Sequence, residues 1–144
     1  MITFCTLFSG SSGNAVYFAT DQGALLVDCG MSGRQVLDAL CAAGLDPAGL
    51  KALLITHEHS DHVKGVGVLS RRLGLPVYAT EGTWQGMDSA VGELAPQHRI
   101  VIRAGESFFL NDLEIAPFSI PHDAADPVGY RCLLYTSPSP RDRS

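Results

Sequence analysis

Charge is scarce in this chain, and basic charge scarcest. Asp, Glu, Lys and Arg make up 17% of 144 residues, and ten Lys and Arg face fifteen Asp and Glu for a formal charge of −5. A broad basic face for gripping a polyanion is therefore excluded. Any such grip must be local, and a bound metal is the obvious local source of positive charge. No apolar run approaches the ~20 residues of a membrane-spanning helix. The apolar start, Met1 to Phe8, has no Lys or Arg ahead of it, which argues against a secretory leader. Cysteine is sparse too. Cys5, Cys29, Cys41 and Cys132 make no C-x-x-C and no dense framework, so free thiols in a reducing cytoplasm are expected rather than a disulfide scaffold. What is plentiful is apolar: 46% of residues, with 15 Gly and 8 Pro. That composition buries a core and makes many turns, which excludes global disorder.

The chain reads as strands that give way to alternating helices and strands. Thr3 to Phe8 predicts a strand, Ser9-Gly10-Ser11-Ser12-Gly13-Asn14 a turn, and Ala15 to Phe18 a second strand closed by Asp21-Gln22-Gly23. Ala24 to Asp28 is a short apolar strand that ends on a carboxylate. Ser32 caps a helix to about Ala43, with Val36, Leu37, Leu40 and Cys41 on one face and Gly44 at its end. Lys51 to Thr56 is the next strand, and a helix is expected from about His62 to Leu73. Leu75 to Ala79 follows as a strand, then a helix capped by Thr80 that carries Trp84 and Met87 into the core. Arg99 to Ile102, Glu106 to Leu110 and Leu113 to Ile120 read as strands, the last two joined at Asn111-Asp112. The alternation points to an α/β layered fold.

The chemistry gathers after the Lys51–Thr56 strand, where His57, His59, Asp61 and His62 fall within six positions. Side chains alternate along an extended segment, so His57 and His59 point the same way. Asp61 and His62 lie where the chain turns into the helix and face the same pocket. Imidazole and carboxylate suit Zn²⁺, and also Mn²⁺ or Fe²⁺. Two adjacent sites result, one with His57 and His59, the other with Asp61 and His62. Glu58 and Ser60 alternate away from the ligands. Lys64, Arg71 and Arg72 read as a solvated helix face, and His98 as a solvated bystander. Ser11, Ser12 and Asn14 form either a plain turn or a donor nest that holds a phosphate. Asp123 and Asp126 read as loop-shaping residues.

This H-x-H-x-D-H turn after a strand resembles the hallmark of the metallo-β-lactamase superfamily. Asp28, in Leu25-Leu26-Val27-Asp28-Cys29-Gly30, resembles the family's upstream Asp, which orients a ligand His. His122, in Ile120-Pro121-His122 ahead of Val128-Gly129-Tyr130, resembles the third His ligand of the first metal. The Gly/Ser turn, Thr56 to Val66 and His122 to Gly129 together resemble the YycJ/WalJ-type subgroup, 5′-exonuclease-like on DNA. The resemblance implies the first βα half of an αββα sandwich, truncated. It also implies two divalent cations, Zn²⁺ or Mn²⁺, in the complete enzyme, a nucleic-acid substrate and a bacterial cytoplasm, with no membrane partner. Asp61 would then ligate the second cation and accept a proton from the nucleophile. No residue here matches the family's bridging Asp or its last His ligand, so a single cation is the expectation for this chain alone. An apolar sheet face left uncovered would favour an oligomer.

The last residues shift abruptly to Pro, Ser and Arg. The stretch Cys132 to Asp142 resembles the in-frame translation of a sequencing adapter. The expected division is a partial domain over residues 1–131 and a non-native tail over 132–144. Two rival readings stand beside the nuclease. The same metals would hydrolyse a thioester or lactam, or the chain is an inactive fragment with a partial site of His57, His59 and His122.

Overall fold

The computed structural model describes residues 2–10, 13–110, 113–121 and 124–134, with Leu134 described for its backbone alone. Six strands form the larger sheet, in the order β1 (Thr3–Phe8), β2 (Ala15–Thr20), β3 (Gly23–Val27), β4 (Leu50–Leu54), β5 (Val77–Thr80) and β6 (Arg99–Ile102). β1 to β3 pair antiparallel and β3 to β6 pair parallel. Parallel neighbours need crossovers. α1 (Gly33–Ala42), the pair α2 (Ser60–Val63) and α3 (Val66–Leu73), and α4 (Glu81–Val91) supply them. A second sheet, β7 (Phe108–Leu110), β8 (Leu113–Ser119) and β9 (Val128–Leu134), is an antiparallel meander.

Successive residues of a strand point to opposite faces, and both faces of β3 and β4 are covered. Leu26, Leu53 and Ile55 pack with Val36 and Leu40 of α1, Leu69 of α3, and Trp84 and Met87 of α4. Leu25, Ala52 and Leu54 pack instead against Leu113 and Ile115 of β8. This double burial explains why β3 and β4 read as unbroken apolar runs. The layers are therefore helices, sheet, sheet, which is the expected α/β half-sandwich with the second sheet already begun. The far face of that second sheet exposes Phe109, Phe118 and Leu133.

Caps follow the sequence closely. Ser32 Oγ accepts from Gln35 N at 3.2 Å while Ser32 N donates to Gln35 Oε1, a reciprocal box at the start of α1. Thr80 caps α4 by accepting from Thr83 N. Cys41, expected on the packed face of α1, is exposed.

The helix expected from His62 to Leu73 is two helices, broken at Lys64-Gly65. The cause is a backbone crossing. Gly65 N donates to Cys29 O at 2.7 Å, and a Cβ on Gly65 would lie 2.4 Å from Met31 O. β9 is a further strand that the sequence pattern does not predict, although it contains the Val128-Gly129-Tyr130 stretch. It passes through the expected boundary at residue 131, and Cys132 packs beside Ile115. Residues 135–144, and the expected turn at Asn111-Asp112, lie outside the described residues.

Candidate metal centre

Parallel strands end on the same side of a sheet, where α/β folds place their sites. Asp28 follows β3, and the His57–His62 turn follows β4 on that side. The two ends are tied directly, with Asp28 N donating to Leu54 O at 2.8 Å. Asp28 adopts φ +65°, the left-handed region that a non-glycine residue enters at a cost of about 1–3 kcal/mol. Its carboxylate shows what holds it there. Oδ1 accepts from Thr56 N at 2.8 Å, while Oδ2 accepts from Thr56 Oγ1 at 2.8 Å and meets His62 Nδ1 at 2.7 Å. Asp28 is buried, at 5% exposure, so these bonds are shielded from water.

The network selects tautomers. A threonine hydroxyl has one proton, and that of Thr56 goes to Asp28. Thr56 Oγ1 must then accept from His57 Nδ1, 2.8 Å away. His57 is therefore the Nδ1–H tautomer, with its lone pair on Nε2. His62 also spends its Nδ1–H on Asp28, so its neutral form likewise carries the lone pair on Nε2. Metal-ligating histidines commonly have the other ring nitrogen engaged in this way. The His57 ring centroid lies 3.9 Å from that of His62 and 4.7 Å from that of His59, the latter edge to face.

Burial is the largest single influence on the His62 pKa and lowers it. The Asp28 hydrogen bond and the charges of Asp28 and Asp61 outweigh burial together, so the net direction is upward. Asp61, in the first turn of α2, brings Oδ2 to 3.6 Å from His62 Nε2.

Asn14 closes this side of the pocket. Its amide nitrogen donates to Gly10 O at 2.9 Å and Asp61 O at 3.2 Å, and lies 3.3 Å from both Asp61 Oδ2 and His62 Nε2. The Gly/Ser turn is thus tied to the Asp61–His62 pair through the Asn14 side chain. Gly30 permits the approach. A Cβ there would sit 1.8 Å from Asp61 O and 2.5 Å from Asn14 N. Ser11, Ser12, His122 and Asp123 lie outside the described residues.

The donor set fits a divalent cation in its chemistry: imidazoles with lone pairs set on Nε2, and a carboxylate. It is not complete among the described residues, where no three His, Cys, Asp or Glu side chains form a group that could hold a metal ion. The structure brings the His57 ring beside those of both His59 and His62, and Asp61 beside His62, without dividing them into two separate pairs.

Sequence reasoning passed over Thr56, although a hydroxyl residue next to the first His, with a carboxylate closing the neighbouring strand, was the available signal. Tyr130, read from the sequence only as part of the Val128-Gly129-Tyr130 stretch, has a structural role there: its Oη donates to Ile55 O at 2.6 Å and fastens the second sheet beneath the turn. Burial raises the Tyr130 pKa well above its ordinary value, which keeps the phenol protonated as a donor. Arg71, expected on a solvated face, donates to Val91 O at the end of α4 and to Glu93 O just beyond it. Asp126 shapes its loop through its backbone, where O accepts from Thr80 Oγ1 at 2.8 Å.

The sandwich and the His-rich turn are those of the metallo-beta-lactamase superfamily, whose family model matches residues 9–129, and the chain belongs to it. The chain is 42% identical over 127 residues to the exodeoxyribonuclease YycJ of Bacillus anthracis, covering 88% of this chain and 48% of that protein. It is also 42% identical over 130 residues to the exodeoxyribonuclease WalJ of Streptococcus pneumoniae D39, covering 89% and 48%. The chain thus spans about half the length of the curated relatives it matches. A metallo-beta-lactamase of Cronobacter sakazakii superposes with a TM-score of 0.75 at 19% identity, over 91% of this chain and 55% of that one, a likeness of fold. No helix among the described residues is long and apolar enough to cross a membrane.

Proposed function

We propose that this chain carries part of the metal centre of a phosphodiesterase that removes nucleotides from DNA 5′ ends. The observation that carries the reading is the Asp28 network, which engages the Nδ1 side of His62 directly and that of His57 through Thr56 and so sets the lone pair of each ring on Nε2. Identity of 42% to exodeoxyribonucleases, spread over 88% of the chain, supports the choice of DNA over other substrates. In this reading His57 and His59, with His122, hold the first cation. Asp61 and His62 hold the second. When bound, Zn²⁺ or Mn²⁺ supplies Lewis acidity, lowering the pKa of water from about 15.7 to about 7 and offsetting phosphate charge.

The protein's own groups do the rest. Asp28 fixes the ring orientation of His62 directly and of His57 through Thr56. Asp61 sits at the pocket edge, where its carboxylate takes a proton from the attacking nucleophile. The positive charge missing from an acidic surface is supplied locally by the cations. The free cysteines support a reducing cytoplasm as the site of action.

The test uses a chain of the relatives' length, loaded with Mn²⁺ or Zn²⁺, on 5′-labelled DNA and on a thioester. Release of label from DNA, abolished in Asp61→Ala with one cation retained, is expected. Full activity of Asp61→Ala, or turnover of the thioester alone, overturns the proposal. The 144-residue chain by itself is expected to bind close to one cation by equilibrium dialysis.

A further inference from the structure

We infer that Glu58, between the two histidines of the first pair, is a positioning residue that latches their turn to the loop ahead of β9. The inference rests on the metal-centre reading above. Glu58 turns away from the rings, towards α4 and residues 124–126. Its Oε2 accepts from Ala125 N at 2.9 Å. Its Oε1 is buried with no hydrogen-bond partner, a cost that a solvated surface glutamate does not bear.

The surroundings are shaped to receive it. A Cβ on Gly86 would lie 2.5 Å from Glu58 Cγ and 2.9 Å from its Cβ. One turn earlier on α4, a Cβ on Gly82 would lie 2.7 Å from the Asp126 Cβ and 3.2 Å from that of Ala125. The two bare positions form a bed on which the glutamate stem and the loop both rest. Two further bonds hold the loop, Thr80 Oγ1 to Asp126 O at 2.8 Å and Val128 N to Thr56 O at 2.9 Å. Thr56 and Glu58 flank His57 in sequence, so the first histidine is pinned from both sides to one loop. That loop follows His122 in the chain. Glu58 therefore ties the turn that carries the first imidazoles to the loop over residues 124–126. Without it, turn and loop must be ordered separately when a cation arrives.

The test is a Co²⁺ titration of the full chain followed by its visible d–d absorption, with hydrogen exchange at the Ala125 amide. Glu58→Ala is expected to weaken Co²⁺ binding about ten- to hundred-fold, the range for residues that support ligands, with the metal-free melting temperature little changed. Ala125 exchange should accelerate. Glu58→Gln keeps an acceptor for Ala125 and is expected to restore most of the affinity. Gly86→Ala, which introduces a Cβ into the stem, is expected to weaken Co²⁺ binding in a well-folded helix. If wild type binds Co²⁺ and both Glu58→Ala and Gly86→Ala bind it equally well, the latch role is overturned while the metal centre stands. If wild type itself binds no Co²⁺, both fail together.

Discussion

Replacing Thr56 by valine removes one hydroxyl and almost no volume, so it isolates the link between Asp28 and His57. Two bonds of 2.8 Å are lost, one to the Asp28 carboxylate and one from His57 Nδ1. A hydrogen bond to a charged group contributes about 1.5–3 kcal/mol and a neutral one about 0.5–1.5 kcal/mol. Asp28 keeps the Thr56 backbone N–H and His62 Nδ1, so the loss falls short of that sum. We expect about 2 kcal/mol of destabilisation, or roughly 4–8 °C in melting temperature for a domain of this size. The more telling change is in the ring. Wild-type His57 should show the Nδ1–H tautomer by long-range ¹H–¹⁵N correlation, Thr56→Val a mixture, and Thr56→Ser the wild-type state. First-cation affinity should fall about ten- to hundred-fold in Thr56→Val. An unchanged tautomer together with unchanged affinity would refute the reasoning, whatever happened to stability.

Three further expectations follow from the same geometry. The net upward pKa of His62 means that the metal-free fold gains stability from this group at pH below about 6.5, the unfolded value, and loses it as pH rises through the raised native value. A cation must displace that proton, so affinity at the Asp61–His62 pair should climb as pH rises through about 6.5 towards the raised native value; calorimetric titrations with a flat or falling trend would contradict this. Asp28→Asn preserves size and tolerates positive φ but replaces a charged acceptor, so cation affinity should drop about ten-fold or more with the far-ultraviolet dichroism intact. Gly30→Ala drives a Cβ into the Asp61 carbonyl and should cost about 3 kcal/mol or more in urea unfolding; near-wild-type stability would show that the crossing is looser than described.

The strands most visible in the sequence were those covered on both faces. Leu25-Leu26-Val27 and Leu53-Leu54-Ile55 leave no polar position because helices lie on one side and β8 on the other. Helix starts at Ser32 and Thr80 were legible because capping is local chemistry. The break at Gly65 was not, because its cause is the approach of residues 29–31, distant in sequence. β9 was missed for a similar reason: its inward residues Val128, Tyr130 and Cys132 are spaced by polar or small ones, and only pairing with β8 defines it. In the site, His57, His59, Asp61 and His62 stood out as residue types at close spacing. Thr56 and Glu58 act through groups 28 and 67 positions away, and no local pattern reveals such partners.

The sequence separations within the site also bear on how the protein acquires its metal. His57, His59 and His62 are neighbours in the chain and form a chelating stretch before any folding. Asp28, which sets the tautomers of His57 and His62, is 34 positions from His62 and reaches it only after β3 and β4 have paired in parallel, a slow class of contact. Cation added to denatured chain therefore meets the ligands without their arbiter. It binds whichever ring nitrogen is bare and stabilises unfolded states along with native ones. Refolding first and metallating afterwards should give the higher yield of correctly ligated protein, and the gap between the two orders of addition measures how late the parallel pair forms.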